Sequence, residues 1–163
     1  MTSVPTPAQQ AWLDQEDSDT ARIVREHGVY IQYVLGDRDR MQTPFAYTVG
    51  MFGIAHPELL VVGVDQGTAG GLLNDVARQV RGGRMLVPGE LLTFERWPHR
   101  VIVEEVPNPA EIAFTANRFY QRPDELSVPL LQLTYDDTNG RFPWDDGYSV
   151  PAWIQPRPGE LRA

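Results

Sequence analysis

No cysteine and no lysine occur anywhere in the chain. The first absence excludes disulfides, thiolate nucleophiles, iron–sulfur clusters and thiolate zinc sites. The second excludes Schiff-base chemistry and the lysine of phosphate-binding loops. All 14 basic residues are therefore Arg, which codon bias in a GC-rich genome accounts for. Histidine is scarce as well: His27, His56 and His99 are the whole set, and no two stand at a metal-ligand spacing. The glycines at 50, 53, 63, 67, 70 and 71 do not form a dinucleotide-binding fingerprint, and none of Ser3, Ser18, Ser127 and Ser149 lies in a nucleophile elbow. No apolar run approaches the roughly 20 residues a membrane helix needs, and residues 1–10 lack the charged and apolar regions of a secretory signal. The expectation is a cytoplasmic protein, without a metal site, whose chemistry rests on His, carboxylate, Tyr, Arg or a bound cofactor.

What is present describes a folding chain. Its 163 residues are 42% hydrophobic and 22% charged, ordinary globular usage at the size of one domain. The net charge of -8 repels phosphate backbones and anionic lipid, so nucleic-acid and membrane-surface binding are not expected. A basic protein partner or a small molecule is.

Along the chain, Thr6-Pro7-Ala8-Gln9 reads as a capping box opening a short helix, with Ala8, Ala11 and Trp12 at helical spacing. A second helix is expected from Asp17 or Ser18, ending at His27-Gly28. Residues 29–35 and 45–51 read as strands around the turn at 36–39. In the second strand Phe45, Tyr47, Val49 and Met51 alternate with the small Ala46, Thr48 and Gly50, so one face allows a helix or ligand close approach. The run 59–64 is apolar on both sides and reads as a central strand; Leu72, Leu73, Val76 and Val80 then mark an amphipathic helix. Strands are expected at 91–95 and 100–106 as an antiparallel pair, a helix from Asn108 to before Pro123, and a last strand over 128–135. From Asp145 onward Gly, Pro and charge dominate, and packing is expected only from Trp153 and Ile154. The order of elements predicts a single α+β domain with a mixed or antiparallel sheet, curled towards a half-barrel, and helices mainly on one face. Its parts are an N-terminal helical arm (1–28), a core (29–147) and a Pro-rich tail (148–163).

Residues 44–50 (Pro-Phe-Ala-Tyr-Thr-Val-Gly), 56–59 (His-Pro-Glu-Leu), 131–133 (Leu-Gln-Leu) and 140–145 (Gly-Arg-Phe-Pro-Trp-Asp) resemble a bacterial domain-of-unknown-function family, number 4262. The resemblance spans about Glu26 to Gly147 and implies no activity. The element order also resembles the opening of flavin-reductase-like split barrels. That resemblance implies a flavin phosphate near Thr48 to Gly53, with Arg84 or Arg100 supplying charge.

Among side chains, His56 lies in a loop between apolar strands with Glu58 two residues on, a spacing that suits an acid–base pair or a histidine bonded to backbone. Tyr47 is the third candidate catalytic group. Candidate ligand-binding residues are Thr48 and Gly50 on the close-approach strand, and Arg141, Trp144 and Asp145 in the 140–146 loop, where aromatics beside carboxylates suit either a pocket or a clamp on the tail. His27 and His99 read as a helix-end and a turn residue. The resulting expectation is a non-catalytic ligand- or protein-binding domain with a regulatory role. The alternative is a small-molecule enzyme, a flavin-binding oxidoreductase in its sharpest form.

Overall fold

The computed structural model describes residues 3–163. Thr6 closes the capping box in both directions: its hydroxyl accepts the Gln9 N–H at 3.2 Å, and the Gln9 side chain accepts the Thr6 N–H at 2.8 Å. From there α1 (Pro7–His27) runs for 21 residues as one helix, where two are predicted. The polar stretch around Asp17 does not cap a second helix, because its side chains bond within or across the first. Gln10 reaches Asp14, Gln15 reaches Asp19, the Thr20 hydroxyl donates to the Glu16 carbonyl, and Asp17 pairs with Arg118. The helix stops where predicted, at Gly28, which takes a φ of 81° and returns its N–H to the Val24 carbonyl.

Six strands follow: β1 (Tyr30–Val34), β2 (Phe45–Val49), β3 (Glu58–Val62), β4 (Leu91–Leu92), β5 (Val101–Glu105) and β6 (Leu130–Tyr135). They form one mixed sheet in the order β1-β2-β3-β6-β5-β4, antiparallel except between β3 and β6, and not closed into a barrel. The fold is a single α+β domain. β3 lies inside the sheet and is buried at every residue, as its apolar sequence predicts. The strand predicted over 91–95 shrinks to two residues, because Phe94 and Trp97 leave the ladder and pack back against the core beside Tyr135.

Each face of the sheet has its own core. Helix α2 (Gln66–Arg81) lays Leu72, Leu73, Val76, Ala77 and Val80 over Ala46, Leu59, Val61, Leu131 and Leu133. The close approach that Ala46 allows is thus used by a helix. Helices α1 and α3 (Phe114–Phe119) share the opposite face with Phe45, Tyr47, Val49, Leu60 and Val62.

The helix predicted from Asn108 is broken in two, a 3-10 turn (Pro109–Glu111) and then α3. Asn108 caps nothing: its amide donates to Glu111 and to the Leu161 carbonyl, while buried Ile112 adopts a φ of -127° that no helix continues. The tail is also more packed than predicted. Beyond Trp153 and Ile154, Gln155, Pro156 and Leu161 are buried against the sheet.

Candidate functional site

Glu58 begins β3 and has no solvent exposure. Its Oε1 accepts from the Thr48 hydroxyl at 2.8 Å and the Met51 N–H at 2.9 Å; its Oε2 accepts from the N–H groups of Gly50 at 3.1 Å and Phe52 at 3.0 Å. The Thr48 hydroxyl accepts in turn from the Leu59 N–H. Three successive backbone amides wrapped on an anion form a nest, the arrangement that elsewhere cradles phosphate. Here the chain supplies the anion itself. Burial pushes the Glu58 carboxyl above its usual range, against the pull of these four donors. The amides that a flavin phosphate would need at residues 50–52 are engaged, and the next, at Gly53, donates to the Tyr120 hydroxyl. Desolvation and the Glu58 charge push that phenol up to about 12.

His56 is buried too, but no hydrogen bond joins it to Glu58. Its Nε2 accepts the Leu86 N–H at 3.1 Å, which leaves the proton on Nδ1, 2.7 Å from the Pro57 carbonyl. Both ring nitrogens thus hold backbone, and the side chain ties the start of β3 to the loop after α2. Tyr47 lies on the opposite face of the sheet from α2, where its hydroxyl accepts the Thr115 N–H at 2.9 Å and burial raises its pKa.

Arg141, Trp144 and Asp145 follow the C-terminal end of β6. That strand runs parallel to β3, so they lie at the far end of the sheet from His56 and Glu58. Asp137 organises this loop: its carboxylate accepts from the N–H groups of Asn139, Arg141 and Ser149 and from the Ser149 hydroxyl, which hold it down to about 2. The Arg141 side chain reaches only the Gly147 carbonyl, at 3.4 Å, and Asp145 accepts the Phe142 N–H. Phe142 and Trp144 stack with centroids 5.0 Å apart and planes 2° from parallel. The Arg100 guanidinium covers Phe142 at 5.2 Å and that of Arg157 covers Trp144 at 5.0 Å. These contacts join the loop to Arg100 and to the tail, while Trp144 stays 46% exposed. The sequence candidates therefore occupy three separate places.

A different site is open. Between α2 and residues 93–97 runs a cleft of 820 Å³. Thr68, Gly71, Asp75, Arg78 and Gln79 line one side, Thr93, Phe94, Glu95, Arg96 and Trp97 the other, and Leu72 the base. Arg78 stands 3.6 Å from Asp75. Glu95 and Arg96 have no ion pair among the described residues, and the backbone N–H groups of 93–97 bond to no other part of the chain. On the wall, a side chain at Gly71 would meet nothing within 4 Å. Of these residues the sequence marks Leu72, as a core position of the amphipathic helix. The others lie on the helix's outer side and on an aborted strand, and nothing in their spacing brings the two segments together. No three His, Asp or Glu side chains converge to hold a metal ion among the described residues, and no described helix is long and apolar enough to cross a membrane.

Compared with known families, residues 23–149 match the family model described as a domain of unknown function, DUF4262. The chain belongs to that family. No curated protein and no solved structure matches it. The DUF4262 match contains the Glu58 nest, the α2 cleft and the Asp137 loop, and ends before the tail that supplies Arg157.

Proposed function

We propose that this DUF4262 protein is a non-catalytic, cytoplasmic binding domain whose ligand enters the cleft between α2 and residues 93–97. The observation that carries the reading is where polar groups remain free. At His56, Glu58 and Tyr47 every hydrogen-bonding atom that could move a proton is bonded to the chain's own backbone or to Thr48. In the cleft, the Glu95 and Arg96 charges and the backbone amides of 93–97 stand unused beside two aromatics, with the Asp75–Arg78 pair opposite. A concave site of a few hundred cubic ångströms, half apolar and with a few convergent polar groups, suits a small molecule held by ring contacts and by paired charges of both signs. Regulation follows if ligand occupancy alters binding of a basic partner, which the net charge of -8 favours.

The test is to expose purified protein to a metabolite extract, wash it, and identify what it retains by mass spectrometry. Gly71→Leu fills the cleft from a wall position that has room for the side chain. Retention of a compound by the wild type and its loss in Gly71→Leu supports the cleft. Equal retention by both moves the site elsewhere, and conversion of the compound to a product replaces the binding reading with an enzymatic one.

A further inference from the structure

We infer that the DUF4262 core carries a second site, a groove for a partner protein's extended segment with Gln two residues before Arg, which the chain's own residues 153–157 fill in cis. Every group that receives this segment lies within the family-matched residues 23–149, and the segment itself lies outside them. β6 pairs with β3 only as far as Gln132, so on that side the last residues of the strand have no neighbour. Gln155 stands in for one. Its Oε1 accepts the Tyr135 N–H at 3.0 Å, and its Nε2 donates to the Tyr135 carbonyl at 2.9 Å and the Tyr148 hydroxyl at 2.6 Å. One amide side chain reproduces the donor–acceptor pair of a strand residue, the logic of peptide addition to a sheet edge.

The neighbouring contacts are equally particular. The Ile154 carbonyl lies against Gly63, where a Cβ would come within 2.0 Å of it; Gly63 also takes a φ of 73°, so glycine alone suits the position. The Thr43 hydroxyl donates to the Trp153 carbonyl, and the Gln132 Nε2 to the Pro156 carbonyl at 2.9 Å. Arg157 lies over the Trp144 ring and donates to Glu104 at 2.8 Å. Segment 153–157 thus fits by carbonyls, one amide and one guanidinium, as a bound peptide does.

The cis occupant fits incompletely. Gln132 Oε1 and Arg157 Nε are buried without a hydrogen-bond partner, and Gln132 is 1% exposed. An orphaned buried acceptor in the groove and an orphaned buried donor on the tail weaken the hold of the tail, so a segment that offers Gln132 Oε1 a donor and leaves none of its own unpaired binds the groove more tightly. The tail then acts as a tethered competitor, with an effective concentration on the order of millimolar for a short linker. None of the groove's residues lines the α2 cleft, so the two sites stand or fall separately.

A fluorescein-labelled peptide of residues 150–158 tests this by anisotropy, using the full-length wild type and full-length Gln155→Ala/Arg157→Ala, whose tail is weakened in cis. The double variant should bind the peptide at least tenfold more tightly than the wild type. Adding Trp144→Ala to it should abolish binding, as should a peptide with Ala at both key positions. Equal affinity of a folded double variant and the wild type overturns the groove, as does equal binding of the altered peptide. Should the double variant not fold, hydrogen exchange on the wild type decides. Excess peptide must speed exchange across 150–163 while the Tyr135 amide stays protected, and unchanged tail exchange overturns the proposal.

Discussion

Glu58 shows how one side chain can fix a loop. A buried carboxylate is costly unless its lone pairs are filled, and here four donors fill them while three of those donors are amides that would otherwise lie buried and unpaired. Glu58→Gln keeps the shape but turns an NH₂ towards either the Gly50 and Phe52 amides or the Thr48 and Met51 donors. With two donors facing a donor, the expected loss is about 3 kcal/mol, from the cost of unsatisfied buried groups, read as a lower urea midpoint at unchanged m-value. A loss under about 0.5 kcal/mol would show that the nest does not hold the loop. The sequence singled out Glu58 but not what it does: spacing placed it beside His56 as an acid–base candidate, whereas the amides of 50–52 take the carboxylate and the Leu86 N–H and Pro57 carbonyl take the imidazole. The same holds for Trp144, whose dependence on Arg157 crosses 13 residues of irregular chain that no periodicity describes.

At the scale of elements, the hydrophobic pattern determined most of what was legible. β3 and α2 show it most clearly, because a continuous apolar run and a 3.6-residue stripe each permit one packing. The misreadings at α1 and at Asn108 share a cause: cap residues signal a helix start only when their side chains are free to cap, and both sets are taken by other partners. Within α2, Gly70 and Gly71 are exceptions to good helix design, with open space where each Cβ would lie. Glycine in a helix interior costs about 1 kcal/mol relative to alanine. Gly71→Ala should therefore raise stability by about that amount in thermal or urea unfolding. Since alanine is small enough to leave the cleft open, retention of the metabolite recovered with wild type should survive. A destabilised Gly71→Ala protein would mean that the wall is less open than its geometry indicates.

On the scale of the whole molecule, two buried carboxylates at opposite ends of the sheet pull the pH dependence in opposite directions. Asp137 is held down to about 2 in the fold, against about 3.9 in an unfolded chain. Its contribution is present above pH 4 and is lost as pH falls towards 2, because the unfolded chain then binds the proton first. Glu58 is raised in the fold, so the folded chain binds its proton first; that contribution is present below the unfolded value of about 4.3 and is lost as pH rises through the folded value. The strand order and the parallel β3–β6 pairing that separate these two groups were not legible from the sequence, since sequence patterns describe neighbours along the chain and not crossovers. The profiles nonetheless separate cleanly by substitution. Asp137→Asn should be less stable than wild type at pH 7, with the gap narrowing as urea midpoints are taken from pH 4 down to pH 2. Glu58→Gln should lose the decline that wild type shows above the unfolded value. Parallel midpoint curves for wild type and Asp137→Asn across pH 2 to 4 would show that the Asp137 carboxylate does not link proton binding to folding, and would remove the electrostatic account of how the loop that seats Trp144 is held.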